Sequence, residues 1–268
     1  MMHLKRWLTA IIAVPILIVL IGPGPRWLFY SVVCAASLGA LMEYYAMSSA
    51  RLPKPALGLS YLLTVLLFGA IYLRQIMFVP AIIVLWALVP MTLFMLAYSQ
   101  KHATEDLGKA LFGPVYVVLP LALLLLIDMR PKGPLWIFFL LTVIFASDTG
   151  AFYFGRLMGR HKLYEAVSPN KTWEGAVGGL ITSIVAASLF IRLIGPCPLD
   201  LKILILAGIL SAAGQIGDLC ESMLKRKHGV KDSGRILPGH GGILDRIDGL
   251  LFAVPVLYVY LSLDLGSS

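Results

Sequence analysis

Long apolar runs broken by short polar stretches make up most of this chain. Because a helix needs roughly 20 mostly apolar residues to cross the hydrocarbon core of a bilayer, each run is a candidate membrane span. The fold class predicted is therefore all-α, a polytopic integral membrane protein. We predict about nine transmembrane helices, bounded by Pro, Gly and charged residues, at 7–22, 27–47, 55–73, 76–98, 108–127, 134–158, 172–195, 199–224 and 246–265.

Composition agrees with a membrane protein. Hydrophobic residues make up 59% of the 268 positions and charged residues only 13%, whereas soluble domains carry about 25% charged residues. The three cysteines are scattered and show no CxxC spacing, so they indicate neither a disulfide framework nor a zinc site. They are Cys34, Cys197 and Cys220.

Basic residues favour one side of the predicted helices. With nine spans and a cytoplasmic N-terminus, all but six of the 22 Lys and Arg residues fall on the inner side, as the positive-inside rule requires. The net charge of +8 has two explanations, attraction of inner loops to anionic headgroups or binding of phosphates. The six outer residues are Arg26, Arg74, Arg130, Lys132, Arg192 and Lys202.

Carboxylates collect at the inner ends of the last helices. Asp218 and Glu221 are three residues apart and so share one face of a helix, and Asp245 and Asp248 repeat that spacing at the start of the next helix. Four carboxylates on two abutting helix ends could hold Mg²⁺, which prefers oxygen ligands. Asp148 lies well inside the sixth predicted helix, where a charged side chain faces either a wet cavity or a polar partner.

A simpler explanation exists for the same acids. Asp245 and Asp248 would be favoured at a helix N-terminus by the macrodipole alone, and Asp218 could simply pair with Lys225 or Arg246. The surrounding loop argues for more than this, because six cations lie within 22 residues and five glycines accompany them, a composition suited to phosphates. The six cations are Lys225, Arg226, Lys227, Lys231, Arg235 and Arg246.

A second polar element, "AVSPNKTWEG" at 166–175, precedes the seventh predicted helix. Lys171 is a point charge suited to phosphate. Thr172 either belongs to the same site or is an ordinary helix N-cap.

The segment "SMLKRKHGVKDSGRILPGHGGILDRID", residues 222–248, resembles the signature of the CDP-diacylglycerol synthases, also called phosphatidate cytidylyltransferases. "SPNKTWEG" and "SDTGAFYFGR" are also similar to recurrent features of that family, and Asp218 precedes the signature where the family has an acidic residue. The signature matches at Ser222, Lys225, Arg226, Lys231, Asp232, Gly234, Leu237, Pro238, His240, Gly241, Gly242, Asp245, Arg246 and Asp248.

The resemblance implies that CTP and phosphatidate give CDP-diacylglycerol and pyrophosphate, with Mg²⁺ required and a second metal or a monovalent cation left open. We predict catalytic roles for Asp148, Asp218, Asp245 and Asp248. The predicted metal ligands are Asp218, Asp245 and Asp248, with Glu221 as a further candidate. The predicted substrate-binding residues are Lys171, Ser222, Lys225, Arg226, Lys231, His240 and Arg246.

The polar chemistry lies mainly in the C-terminal half. We therefore predict a catalytic region at 131–268 and, at 1–130, helices that serve as scaffold, lipid access or oligomer contact. The expected partners are CTP, phosphatidate, the lipid bilayer and, from the resemblance, a second copy in a homodimer, with no nucleic acid. The compact chain favours a bacterial plasma membrane with the active site on the cytoplasmic side.

The residues alone leave three alternative functions open. A CTP-dependent polyprenol kinase would share the basic loop and acids but should lack the complete HGG-x-x-DR-x-D ending. A CDP-alcohol phosphatidyltransferase should begin with DGxxAR, and "DGLLFA" at 248–253 lacks the Ala-Arg pair. A secondary transporter would explain intramembrane acids but should show a repeat between halves, whereas the polar residues here concentrate in one half.

Overall fold

The computed structural model describes residues 15–48, 52–96, 103–234 and 241–263. These residues include eight helices that are long and apolar enough to cross a membrane, which confirms the all-α polytopic fold class. They are α1 (Arg26–Met47), α2 (Lys54–Tyr72), α3 (Ile76–Leu96), α4 (Thr104–Asp128), α5 (Gly133–Met158), α6 (Trp173–Ile194), α7 (Leu201–Lys227) and α8 (Leu244–Leu263).

Most helices begin and end within a few residues of their predicted bounds. The exception is α4, whose first turn carries Glu105 and Asp106 and begins four residues before the predicted bound at 108. Acidic side chains are favourable at a helix N-terminus, so the polar start continues the helix. Of the first predicted helix, 7–22, the structure describes a helical segment at 15–21, and the rest lies outside the described residues.

The fourth span is not a uniform α-helix. Its α-helical segment Ala103–Gly113 passes into a π-helical turn, Pro114–Val118, and then into Leu119–Asp128. Such turns rotate the residues that follow them relative to a regular helix, and they are frequent at functional sites. Here the turn contains Tyr116, whose side chain is buried.

One face of the helix bundle is held together by contacts far from the predicted site. Arg26 at the start of α1 forms an ion pair of 2.9 Å with Asp128 at the end of α4. Lys132, before α5, donates to the Pro196 carbonyl before α7 at 2.8 Å, and Arg130 donates to Ser262 near the end of α8 at 2.9 Å. This far face therefore carries three of the six basic residues that the topology prediction assigns to the outer side, Arg26, Arg130 and Lys132.

Small residues bring α5 and α6 together. A Cβ on Gly175 would lie 2.8 Å from the carbonyl oxygen of Ala151 and 3.2 Å from the Cα of Gly155. Without side chains at these positions, the two backbones approach closely, as small residues allow between membrane helices. The approach places "SDTGAFYFGR" beside "SPNKTWEG".

A short antiparallel hairpin, which the sequence analysis did not predict, joins α5 to α6. Its strands are β1 (Lys162–Tyr164) and β2 (Ser168–Thr172), with Lys162 opposite Thr172. Strands of three and five residues in a polar stretch show no alternating apolar pattern, and that pattern is the main signal for a strand. At the end of β2, the Thr172 side chain accepts from the Gly175 amide at 3.1 Å, so Thr172 is the N-cap of α6.

Glu174 anchors the hairpin to the first turn of α6. Its carboxylate accepts from the backbone amides of Arg160 at 3.1 Å and His161 at 3.2 Å, and it lies 2.6 Å from Nδ1 of His161. The chain entering β1 is thereby held against the start of α6. As a consequence, β2 and Lys171 are held over the ends of the neighbouring helices.

Candidate active site

A cavity of about 660 Å³ opens between α5, the hairpin, α6 and α7. Two predicted carboxylates line it, Asp148 from α5 and Asp218 from α7, together with Lys171 from β2. Nζ of Lys171 lies 2.6 Å from Oδ2 of Asp218. Three residues that come from separate parts of the sequence therefore line the same cavity.

Asp218 also belongs to a carboxylate cluster beside this cavity. Asp218, Glu221 and Asp248 each offer one oxygen, and these atoms all lie within 4.8 Å of one another. Asp218 and Glu221 share a face of α7 because they are three residues apart. Asp248 joins them because α8 packs closely at Gly217, where a Cβ would lie 2.5 Å from the Asp248 carbonyl oxygen.

This cluster suits a hard divalent cation. Glu221 is fully buried, and its Oε1 has no hydrogen-bond partner among the described residues. A buried carboxylate oxygen without a donor is costly, and a bound cation would satisfy it. Three carboxylates supply the oxygen ligands that such a cation prefers.

Asp245, which we predicted as a metal ligand, is not part of that cluster. Its Oδ1 accepts from Nζ of Lys225 at 2.7 Å, and its Oδ2 accepts from the backbone amides of Ser233 at 3.0 Å and Gly242 at 2.8 Å. Both oxygens therefore already bind donors of the signature segment. Its role as a metal ligand stays a prediction, and its contacts here are with Lys225 and with the backbone of the signature segment.

Lys225 connects the two helix ends. In addition to Asp245, its Nζ contacts Oε2 of Glu221 at 2.5 Å. The side chain is only 12% exposed, so a buried cation lies between two largely buried carboxylates. Lys225 is thus paired with Glu221 and Asp245, and the partner of Asp218 is Lys171.

The other predicted substrate-binding residues differ in their surroundings, and one of them lies outside the described residues. Ser222 is within 3.5 Å of Asp218 through its hydroxyl. Arg226 donates to the Val167 carbonyl at 3.4 Å and thereby connects α7 to the hairpin turn. Lys231 and Arg246 are exposed. His240 lies outside the described residues.

Gln215 also lines the cavity, and the sequence analysis did not identify it. Its Nε2 donates to the Ser147 hydroxyl and to the Ala176 carbonyl, both at 3.2 Å. This side chain therefore joins α5, α6 and α7 one turn before Asp218. An amide within an apolar run, three residues from an acid, is the signal that could have revealed it.

Two residues of the N-terminal half also approach the site, and neither is among the predicted site residues. Glu43 of α1 accepts hydrogen bonds from the signature segment. Tyr116, in the π-helical turn of α4, interacts electrostatically with Glu221 and Asp248, and its buried hydroxyl has no hydrogen-bond partner among the described residues. Glu43 stands out in the sequence as an acid within an early apolar run, whereas nothing local distinguishes Tyr116.

Comparison with known proteins agrees with this arrangement. The model of the "Cytidylyltransferase family" matches residues 4–264. A phosphatidate cytidylyltransferase of Staphylococcus haemolyticus is 36% identical over 269 residues, which cover 96% of this chain and 98% of that protein.

Two further relatives carry the same name. The protein of Staphylococcus saprophyticus is 43% identical over 65% of this chain and 68% of its own length. That of Staphylococcus epidermidis is 41% identical over 67% and 70%. The chain therefore belongs to the cytidylyltransferase family, and it is a nucleotidyltransferase built of membrane helices.

Proposed function

We propose that the protein transfers the cytidylyl group of CTP to phosphatidate and releases pyrophosphate, which gives CDP-diacylglycerol for phospholipid synthesis. The observation that carries the proposal is the carboxylate cluster of Asp218, Glu221 and Asp248 at the edge of a cavity that also contains Lys171. The names of the relatives, phosphatidate cytidylyltransferase, support the same substrates.

The reaction requires one bond to form and one to break. A phosphatidate oxygen attacks the α-phosphorus of CTP, and the bond from that phosphorus to the oxygen of the leaving pyrophosphate breaks. The attacking phosphate is already largely ionised near neutral pH, so no strong base is needed. Catalysis then depends mainly on positioning and charge stabilisation.

The chain's own residues suit these tasks. Asp218, Glu221 and Asp248 would hold Mg²⁺, which when bound neutralises oxygens around the reacting phosphorus. Lys171 points its ammonium group at Asp218 from the cavity wall, so it would orient a phosphate beside the cluster. Lys225 balances the charges of Glu221 and Asp245 and would keep the helix ends in place.

The basic residues support a cytoplasmic site. The ends of α5 and α7 and the starts of α6 and α8 carry the signature elements, whereas Arg26, Arg130 and Lys132, which the topology prediction assigns to the outer side, lie on the far face. A positively charged inner face follows the positive-inside rule, and CTP is a cytosolic substrate. The catalytic region at 131–268 and the homodimer stay predictions of the same proposal.

The reaction can be tested by measuring which phosphate of CTP is transferred to lipid. We expect purified protein in detergent, given phosphatidate and Mg²⁺, to transfer label from CTP labelled at the α-phosphate into the lipid fraction. CTP labelled at the γ-phosphate should instead release its label as pyrophosphate. In a parallel reaction that contains a polyprenol in place of phosphatidate, label from the γ-phosphate in lipid would overturn the proposal in favour of a kinase. Absence of α-phosphate label from the lipid fraction of the phosphatidate reaction, with folded protein, would contradict the proposal.

Cysteine accessibility tests the orientation. In a variant without Cys34, Cys197 and Cys220, Lys202→Cys and Lys227→Cys place single thiols at the two ends of α7, where both native side chains are exposed. We expect an impermeant thiol reagent to label position 202 in intact cells and position 227 only after permeabilisation. The reverse pattern would place the site on the outer face.

A further inference from the structure

A buried carboxylate of the N-terminal half contacts the signature segment. Glu43 lies near the end of α1 and is only 4% exposed. Its Oε2 accepts from the Ser233 hydroxyl at 3.1 Å and from the Leu244 amide at 2.9 Å. One oxygen thus binds the segment on both sides of residues 234–243.

Two glycines permit this contact. A Cβ on Gly234 or on Gly242 would collide with the Glu43 carboxylate. The backbone on both sides of the segment therefore packs directly against Glu43, and larger residues would separate them. This is a close approach of the kind that requires glycine.

Glu43 acts together with Asp245. Asp245 accepts from the amides of Ser233 and Gly242, so the two carboxylates bind the same short stretches of backbone. Asp245 in turn contacts Lys225, which contacts Glu221 of the carboxylate cluster. A continuous chain of polar contacts therefore runs from α1 to that cluster.

Burial of this carboxylate is costly. Its Oε1 is buried and has no hydrogen-bond partner among the described residues. Within a membrane protein, such charged side chains are expensive and usually serve function. A neutral residue would pack at this position at lower cost if α1 needed only an apolar contact.

We propose that Glu43 is a positioning residue for cytidylyl transfer. It holds the backbone on both sides of residues 234–243, so that Asp245 and Lys225 keep the carboxylates of the cluster in place. This inference rests on the proposed function. It gives the N-terminal half a part in the site in addition to the predicted scaffold role. Glu43 acts through other residues and has no role in direct contact with substrate.

The central test is the kcat of Glu43→Gln. The amide keeps the size and one oxygen that can still accept from Ser233 and Leu244, but it removes the charge that strengthens these hydrogen bonds and places an NH2 group where the buried Oε1 has no partner among the described residues. Loss of a residue that orients metal ligands costs about 10- to 100-fold, so we expect kcat to fall in that range while the KM for CTP changes by less than about 3-fold. Wild-type activity in the same preparation shows whether the proposed function itself holds.

A matched control separates positioning from stability. Asp128 is also a buried acid of the N-terminal half, 8% exposed, and it binds Arg26 and Tyr30 on the far face. We expect Asp128→Asn to lower the melting temperature but to leave kcat within about 2-fold of wild type. Equal losses of kcat in both variants would overturn the proposal, because a general loss of stability would then explain them.

Ser233→Ala keeps the test decisive if Glu43→Gln folds poorly. It removes one hydrogen bond to Glu43, so we expect a smaller loss of kcat than for Glu43→Gln, roughly 5-fold. In the double variant the loss of kcat should be smaller than the product of the two single losses, because both substitutions act on the same contact. Independent losses that multiply, or a kcat of Ser233→Ala equal to wild type, would contradict the role of Glu43.

Discussion

Asp248→Asn should reduce transfer of the cytidylyl group into lipid by at least about 100-fold, because changes to residues that merely orient metal ligands already cost up to that much. Asp248 is the carboxylate that α8 contributes to a cluster whose other members come from α7. The amide keeps the volume and one oxygen, which can still accept from the Gly249 amide. It removes the charge, however, and a neutral oxygen is a weaker ligand for a divalent cation.

Two measurements make this result specific. Raising the Mg²⁺ concentration should recover part of the activity of Asp248→Asn, since the weaker site would then fill. Glu165→Gln is the matched control, because Glu165 is an exposed acid between the two strands of the hairpin, and it should stay within about 2-fold of wild type. If Asp248→Asn retained more than a tenth of the wild-type rate in folded protein, Asp248 would not belong to the site.

Replacement of Lys225 should have the largest effect on stability. Lys225→Met leaves the carboxylates of Glu221 and Asp245 without their shared cation, and both are largely buried. Breaking a buried ion pair by removing one partner costs about 3–5 kcal/mol, because the remaining charge is uncompensated. We expect a markedly lower melting temperature in detergent and loss of transfer activity.

A second substitution should separate these two effects. Adding Glu221→Gln to Lys225→Met removes one of the uncompensated charges, so the melting temperature should rise relative to the single variant, while activity should stay lost. Lys227→Met is the control, because Lys227 lies on the same helix but is exposed, and exposed charges contribute only about 0–1 kcal/mol. A melting temperature of Lys225→Met equal to that of Lys227→Met would disprove the buried pair.

The helices could be predicted because the hydropathy signal is local. A span of about 20 apolar residues identifies itself without reference to the rest of the chain, and the bounds of α2, α5 and α6 follow from nearby Pro, Gly and charged residues. The hairpin could not be predicted in this way. Its strands are short and polar, and they are held by Glu174 and by the start of α6 rather than by an apolar pattern of their own.

The sequence predicts which acids are candidates for the site, but it does not predict the role of each one. The spacing of three residues places Asp218 and Glu221 on one face of α7, and it does the same for Asp245 and Asp248 on α8. Only the close packing at Gly217 brings Asp248 to the cluster, while the amides of the signature segment bind Asp245. Asp245 and Asp248 thus have different neighbours, although the same spacing identified both.

The fold class, nearly all the membrane helices, the family resemblance and the acids and cations of the site can all be predicted from the amino-acid sequence. These depend on composition, period and motif, which are properties of neighbouring residues. Three contacts could be found only in the folded chain. They are the pairing of Lys171 with Asp218, the position of Lys225 between Glu221 and Asp245, and the contact of Glu43 with the signature segment. Such contacts join residues as far apart as α1 and α8, and their geometry depends on how closely whole helices pack.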